Sequence, residues 1–425
     1  MKVLIIGAGI AGLTTAYILK EKGIDSLIVE KEAQPGGLSR SFELCGEWFD
    51  MGGHASFAKE QFVREILEQE VDCFKQKAVA YNYKKGKWIK NPAQINLSAL
   101  DTEEKIAILD DYFRRPRVDN PKNYMEWLEC QYGKYFAHNY PTLYTEKYWT
   151  VNPEQLETNW VGNRMYQPTP REVLYGAFEK ETKEVHYSGE IRYPKKGGFE
   201  AFIKALERSA SIRYGSKIAE IDVDSKMVLL DVGEKLEYDY LVNTAPLPEI
   251  VPLINNVSNG VVEASKKLNA TSLILVSVCL DGKLKVDLSP SYYIYDSDIP
   301  ATRVYSPTKY SGEYGGKTAL QAEVYVSRFR SLSGSLEEIR DKVISQLAEI
   351  GLYDLTKVIA KDVRFEKYAN IMFTHDIYEN RNIVSGYLKS NGIVLAGRFG
   401  EWKYYWTDQA MLSGKRAAEQ IIQMM

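Results

Sequence analysis

Val3-Leu4-Ile5-Ile6-Gly7-Ala8-Gly9-Ile10-Ala11-Gly12 stands almost at the start of the chain, and its reading decides the fold. An aliphatic, mostly β-branched run leads straight into glycines at GxGxxG spacing, and a helical pattern continues to Leu19. Gly7 permits the tight turn, Gly9 lets a pyrophosphate approach the backbone, and Gly12 lets the helix close onto the strand. The helix N-terminus adds unpaired N–H donors. Gly23 ends that helix, Ser26-Leu27-Ile28-Val29 rebuilds a parallel strand, and Glu30 follows it. A carboxylate there accepts both hydroxyls of an unmodified adenosine ribose and repels a 2′-phosphate. Lys2 to Glu30 therefore reads as a dinucleotide-binding βαβ unit, not as a glycine-rich structural turn.

Working outward, Lys31-Glu32-Ala33-Gln34-Pro35-Gly36-Gly37-Leu38-Ser39-Arg40-Ser41 is a loop whose glycine pair, arginine and hydroxyls suit phosphates. Phe49-Asp50-Met51-Gly52-Gly53-His54 resembles the segment beneath the flavin ring in glutathione-reductase-like FAD proteins. Residues from about 57 to 185 break the βαβ rhythm and read as mostly helical. Within them, Lys84-Lys85-Gly86-Lys87-Trp88 reads as a solvated hairpin turn, and the aromatic density from Tyr144 to Trp160 reads mainly as core packing. A helix is expected from Glu200 to Ser209 and a strand from Ile212 to Asp222; Tyr240-Leu241-Val242-Asn243 is expected as the last strand of the doubly wound sheet. Apolar strands from Ser272 to Leu280 and from Ala319 to Ser327 suggest an antiparallel cap sheet, and Leu336 to Ile350 an amphipathic helix. Ile393 to Gly400 is a strand into a glycine turn, and the helix from Asp408-Gln409 to Ile422 points its N-terminus at the cofactor. A second Rossmann fingerprint is absent, which favours FAD alone over FAD with a nicotinamide domain.

The expected fold is α/β: a Rossmann-type, glutathione-reductase-like FAD-binding domain from residues 1–56, 187–262 and 385–425. A mainly helical substrate domain at 57–186 and an antiparallel β-sheet cap at 263–384 complete it. With 45% hydrophobic and 26% charged residues the chain is an ordinary globular one, and a net charge of −3 gives no general attraction to nucleic acid. Local basic pockets for an anionic ligand stay open. Cys45, Cys73, Cys130 and Cys279 form no CxxC pair, and His54, His138, His186 and His375 are scattered, which argues against disulfides and metal and for a reducing cytoplasm. An apolar run of about 20 residues is missing, so no transmembrane segment is expected. Composition leaves the oligomeric state open.

The set resembles UDP-galactopyranose mutase, particularly its longer eukaryotic-like form, within the wider amine-oxidase-like FAD superfamily. The resemblance spans most of the chain and is most specific at Gly397-Arg398-Phe399-Gly400-Glu401-Trp402-Lys403-Tyr404 followed by Asp408-Gln409. It implies a reduced flavin whose N5 attacks the anomeric carbon of a UDP-sugar, so that UDP-galactopyranose becomes UDP-galactofuranose with no net oxidation, a step of cell-surface polysaccharide biosynthesis. It further implies FAD contacts from Gly7, Gly9, Ala11, Gly12, Glu30 and Lys31, from Gly37-Leu38-Ser39 and Gly53-His54, and from Gly397-Arg398 and Asp408-Gln409. Arg164 and Arg303 fall at the diphosphate arginines, Tyr404 at a diphosphate tyrosine, and Gln94 and Trp149 at the uridine end. His54 falls under the flavin. A second diphosphate tyrosine falls, by an ungapped count, on Phe373, and Tyr378 replaces it if Thr374 to Ile377 shift register. The alternative is an FAD-dependent oxidase or dehydrogenase of the amine-oxidase or protoporphyrinogen-oxidase type, which shares the N-terminal fingerprint and the Gly397 turn.

Overall fold

The opening apolar run forms strand Val3–Ile6, buried along its whole length, in a computed structural model that describes residues 1–185 and 189–425. It lies at the centre of a five-stranded parallel sheet ordered Ile393–Leu395, Tyr240–Asn243, Val3–Ile6, Ser26–Val29, Ser211–Arg213. A strand buried on both faces needs a continuous apolar run, and these short segments supply it. The chain leaves Val3–Ile6 on one side toward Ser26–Val29 and returns on the other at Tyr240–Asn243, which makes a topological switch point beside Gly7 and Thr244. Tyr240–Asn243 is thus not the last strand; Ile393–Leu395 flanks it.

Helix Ile10–Glu21 packs on this sheet and on the C-terminal helix Thr407–Met424. Glycine sets both approaches. A Cβ on Gly12 would lie 2.1 Å from the Gly7 carbonyl oxygen, and one on Gly414 would lie 2.3 Å from the Ala11 carbonyl oxygen. Thr15 Oγ1 donates to Gly414 O at 3.1 Å across the same helix pair. Gly23, at φ +72°, turns the chain off the first helix.

Two local expectations change. The alternation from Ile212 to Asp222 covers two strands in different sheets: Ser211–Arg213 joins the parallel sheet, and Ile218–Asp222 joins a three-stranded antiparallel one. Gly215, at φ +59°, separates them, because a left-handed residue breaks the extended path. Residues expected as one helix from Glu200 begin as a 3₁₀ turn, Phe199–Ile203, and become α-helical at Lys204–Ser209.

The cap is a seven-stranded sheet ordered Val358–Glu366, Ser272–Asp281, Lys317–Val326, Arg303–Tyr305, Ser291–Ile294, Ala80–Lys84, Lys87–Lys90. It is antiparallel except where Ala80–Lys84 runs parallel to Ser291–Ile294. The segment expected as mostly helical therefore lends two strands to the cap, and its Cys73–Lys77 pairs with Glu190–Pro194. Helix Leu336–Glu349 covers one cap face with Ile339, Val343, Ile344 and Leu347, started by a Ser335–Glu338 capping box. The lysine hairpin forms as expected, but it is not all solvated. Lys84 is buried, 3.1 Å from a Glu104 carboxylate oxygen and 3.7 Å above the Tyr140 ring.

No helix among the described residues is long and apolar enough to cross a membrane, and no cluster there could hold a metal. His186 and the boundary expected between residues 186 and 187 lie outside the described residues.

Candidate active site

The first-helix N-terminus collects the glycine turns. A Cβ on Gly9 would meet nothing within 4 Å, so the space over it is open, and a Cβ on Gly37 would lie 3.4 Å from Gly9 Cα. Gly36 N–H donates to Ala8 O at 2.8 Å, tying the second loop to the first turn. Gly397, at φ +80°, brings the C-terminal turn onto Ala11, where a Cβ would lie 2.8 Å from the Ala11 Cβ. Glu30 is 8% exposed and accepts from Ala8 N at 2.6 Å and Glu32 N at 3.0 Å. A carboxylate at the strand end, an open glycine and a helix N-terminus are the donor set and shape a dinucleotide needs, so these residues fit FAD.

Next to this cradle lies a cavity of about 160 Å³ lined from several elements. Leu38, Gly53 and His54 come from the two loops, Arg303, Glu323 and Tyr325 from the cap sheet, Tyr148 from the helix Pro141–Tyr148, and Arg398, Tyr404 and Asp408 from the C-terminal turn. A larger depression of about 1060 Å³ lies on the outer face of three helices. It is an ordinary charged surface: its Glu68 pairs with Lys75 and Arg192.

Arg303 and Glu323 face each other across paired strands. Arg303 Nε and Nη2 each donate to the Glu323 carboxylate at 2.7 Å, and Gly53 N–H and Tyr325 O–H donate to it at 2.6 Å. Burial alone would push the Glu323 carboxyl up and the Arg303 guanidinium down; their mutual attraction and hydrogen bonds hold both charged. One edge of Arg303 is thus locked, and its Nη1 makes no hydrogen bond among the described residues.

Arg398 and Arg164 are held differently. Arg398 donates to the backbone carbonyls of Tyr405 and Ala369, both at 2.8 Å. Arg164 donates to those of Trp160 at 2.8 Å and Tyr404 at 3.1 Å, and lies 4.7 Å over the Tyr404 ring. Neither forms an ion pair among the described residues, and the buried Arg164 Nε has no partner there. Burial pulls the Arg398 guanidinium below its ordinary value. These are fixed positive charges without a carboxylate counter-charge among the described residues.

His54 Nδ1 lies 2.8 Å from Gly52 O, and its ring centroid is 5.0 Å from that of Phe199. Burial first, and then the nearby arginines, lower its pKa to about 4, so the ring is neutral. Burial raises Asp408. Trp149 is buried behind Tyr404, with ring centroids 5.4 Å apart. Phe373 is also buried there, stacked on Trp160 at 5.8 Å and 5.8 Å from Tyr404. The register shift that would bring Tyr378 forward does not occur: Phe373 O accepts Glu157 N–H at 2.9 Å, and Tyr378 O–H donates to Glu157 at 2.6 Å.

Five residues expected at the substrate or flavin do not line the cavity: Arg164 and Trp149, which pack against the Tyr404 that does, and Lys31, Gln94 and Gln409. Lys31 lies 3.9 Å from Glu249, Gln94 donates to Tyr166 O at 3.0 Å, and Gln409 accepts from Trp406 N at 3.0 Å as a helix cap. Glu323, Tyr325 and Tyr148 line it without having been singled out. Glu323 carried no signal: alternation along Lys317–Val326 places it on the face of Lys317, Gln321 and Tyr325, which reads as the polar side of the strand.

Comparison with known proteins gives the family and the fold. The profile of flavin containing amine oxidoreductases matches residues 10–422. A crystal structure of reduced UDP-galactopyranose mutase superposes with a TM-score of 0.93 at 22% identity, over 100% of this chain and 96% of that one. A structure assigned as a protoporphyrinogen oxidase from Exiguobacterium sp. 255-15 gives 0.76 at 17% identity, over 100% and 99%. Phytoene desaturase of Phycomyces blakesleeanus is 23% identical over 326 residues, 64% of this chain and 53% of that protein. The chain spans about half the length of that curated relative, and less of others. At such identities the structural likeness speaks for the fold. The chain belongs to the family of flavin containing amine oxidoreductases and has the fold of UDP-galactopyranose mutase.

Proposed function

We propose that the chain binds FAD and, with the flavin reduced, interconverts the pyranose and furanose forms of a UDP-sugar, as a mutase of the UDP-galactopyranose type. The observation that carries this reading is the open edge of Arg303 in a phenol-lined cavity, with Arg164, which has no carboxylate partner among the described residues, held against the Tyr404 that lines it. A diphosphate that leaves and returns needs fixed cations, and arginine presents several donors in a rigid plane. The same charges repel a protonated amine, which argues against an amine-oxidase substrate.

Gly7 to Gly12, Glu30, Gly37 to Ser39, Gly53 and Gly397-Arg398 would hold the FAD. When bound and reduced, it supplies a nucleophilic ring nitrogen for the anomeric carbon. The remaining work falls to the chain. Arg303, held in orientation by Glu323, and Arg164, held by two carbonyls, bind the diphosphate and stabilise it as it departs. Tyr404 donates its hydroxyl to the same group. His54 stays neutral and adds no positive charge to the cavity it lines. Trp149 acts at the uridine end through the Tyr404 ring that it packs against. Free thiols at Cys45, Cys73, Cys130 and Cys279 suit a reducing cytoplasm, where nucleotide sugars are made.

A crystal soaked with UDP tests the ligand class. Phosphate density on Arg164 and Arg303, with uracil toward Trp149, supports the reading. Density elsewhere, or none, overturns it. Family membership and the likeness to a desaturase favour the competing reading, an FAD oxidoreductase, which predicts that an amine or carbon–carbon substrate bleaches the oxidised flavin without air.

A further inference from the structure

Tyr148 sits in the aromatic run that reads as packing, yet its hydroxyl faces the cavity 3.1 Å from the Tyr404 hydroxyl. The ring is held firmly. Tyr144, one helical turn back, stacks on it at 5.5 Å, and the Tyr325 ring lies 4.7 Å away. The neighbouring Lys147 anchors this helix end to the cap through the carbonyls of Ile294 and Asp296, at 2.8 and 2.9 Å. Such a position is fixed before any ligand arrives, so little ordering is left to binding.

Proton counting shows what the pair can do. Two phenols carry two O–H protons, and one shared hydrogen bond uses one of them. The other has no acceptor among the described residues. Arg303 and Arg398 act on the Tyr148 phenol with positive charge, and Glu323 with negative charge that Arg303 already neutralises. Burial keeps the phenol far from ionising, so it remains a donor at neutral pH.

We propose that Tyr148 is a second phenolic ligand of the phosphate site, and that it and Tyr404 converge on the diphosphate of a uridine nucleotide beside Arg303. This rests on the diphosphate reading given above. A charged phosphate oxygen is a stronger acceptor than a phenol oxygen, so the bound diphosphate takes both O–H protons, the free one and the one the two phenols share in its absence. The hydroxyl therefore acts on the phosphate and not on the nucleoside.

Calorimetric titration of the flavin-loaded protein with UDP and with uridine tests this, using wild type, Tyr148→Phe, Tyr404→Phe and the double variant. Tyr148→Phe keeps the ring and is expected to weaken UDP by about 10-fold, the scale of one hydrogen bond to a charged group, with uridine changed by less than about two-fold. In the Tyr404→Phe background the same change still costs several-fold, because Tyr148 touches the ligand itself. No effect in that background means that Tyr148 merely positions Tyr404, and overturns the proposal; so does an equal loss for uridine. Wild type that binds UDP alongside an unaffected Tyr148→Phe overturns this proposal alone, whereas wild type that does not bind UDP overturns the diphosphate reading with it. A second measurement leaves the fold untouched: fluorotyrosine at position 148 shifts its fluorine NMR signal with UDP and not with uridine, and a signal indifferent to both is the contrary result.

Discussion

Replacing Glu323 by Gln removes one charge and changes almost no volume, yet it strikes the most densely bonded group at the site. The carboxylate is 1% exposed at its side chain and accepts from Arg303 twice, from Gly53 and from Tyr325. An amide nitrogen in place of one oxygen sets donor against donor, either Arg303 Nε and Tyr325 O–H or Arg303 Nη2 and Gly53 N–H. It also leaves the guanidinium buried without its counter-charge. Breaking one partner of a buried pair costs about 3–5 kcal/mol, well above an ordinary surface change. Replacing both partners, as Glu323→Leu with Arg303→Met, leaves no charge behind and is expected to return most of that loss. Denaturant unfolding of the flavin-loaded protein reads both. The pair also sets a pH dependence. Glu323 is held below its ordinary value of 4.5, so its contribution is complete above that pH and is lost as pH falls through the lower folded value. Glu323→Gln within about 1 kcal/mol of wild type, or a double variant no better than the single one, would refute the reasoning.

Asp50 and His54 give opposite slopes of stability with pH. Burial raises Asp50 from 3.8 to about 6, so its contribution is present below pH 3.8 and lost as pH rises through 6, whereas His54, lowered from 6.5 to about 4, contributes above 6.5 and loses that as pH falls through 4. Each is worth about 3 kcal/mol, so Asp50→Asn and His54→Gln should tilt the wild-type profile in opposite directions in thermal melts from pH 4 to 7; parallel profiles would contradict this. Phe373→Tyr adds a hydroxyl to a buried ring that does not line the cavity, and should cost about 1–3 kcal/mol in unfolding while leaving UDP affinity within about two-fold. Gly414→Ala pushes a Cβ to 2.3 Å from the Ala11 carbonyl oxygen, so the purified variant should show markedly less visible flavin absorbance than wild type.

The parts of this molecule written in local geometry were legible. Gly7, Gly12 and Glu30 are read from a strand, a turn and a helix that adjoin in sequence, and they meet as expected in space. Arg303 was visible through a family resemblance, but Glu323, its partner, was not. Their contact is a matter of strand register, twenty residues apart, which periodicity alone does not fix. Lys84 reads as solvated because Glu104, on a helix, and Tyr140, at a turn between two helices, which bury it, come later in the chain. The two strands within Ile212 to Asp222 share one alternation, and only the turn at Gly215 sends them to different sheets. Tyr148 was hidden for another reason. Among neighbouring aromatics, nothing in the sequence marks the one hydroxyl that faces a cavity.

The central claim is turnover of a UDP-sugar by a reduced flavin bound at this cavity. The direct measurement incubates the flavin-loaded protein with UDP-galactopyranose, reduced by dithionite in one arm and oxidised in the other, and separates the products by HPLC. The account predicts UDP-galactofuranose in the reduced arm alone, formed without stoichiometric consumption of reductant. Absence of furanose in the reduced arm, with UDP bound at the arginines or not, would contradict it.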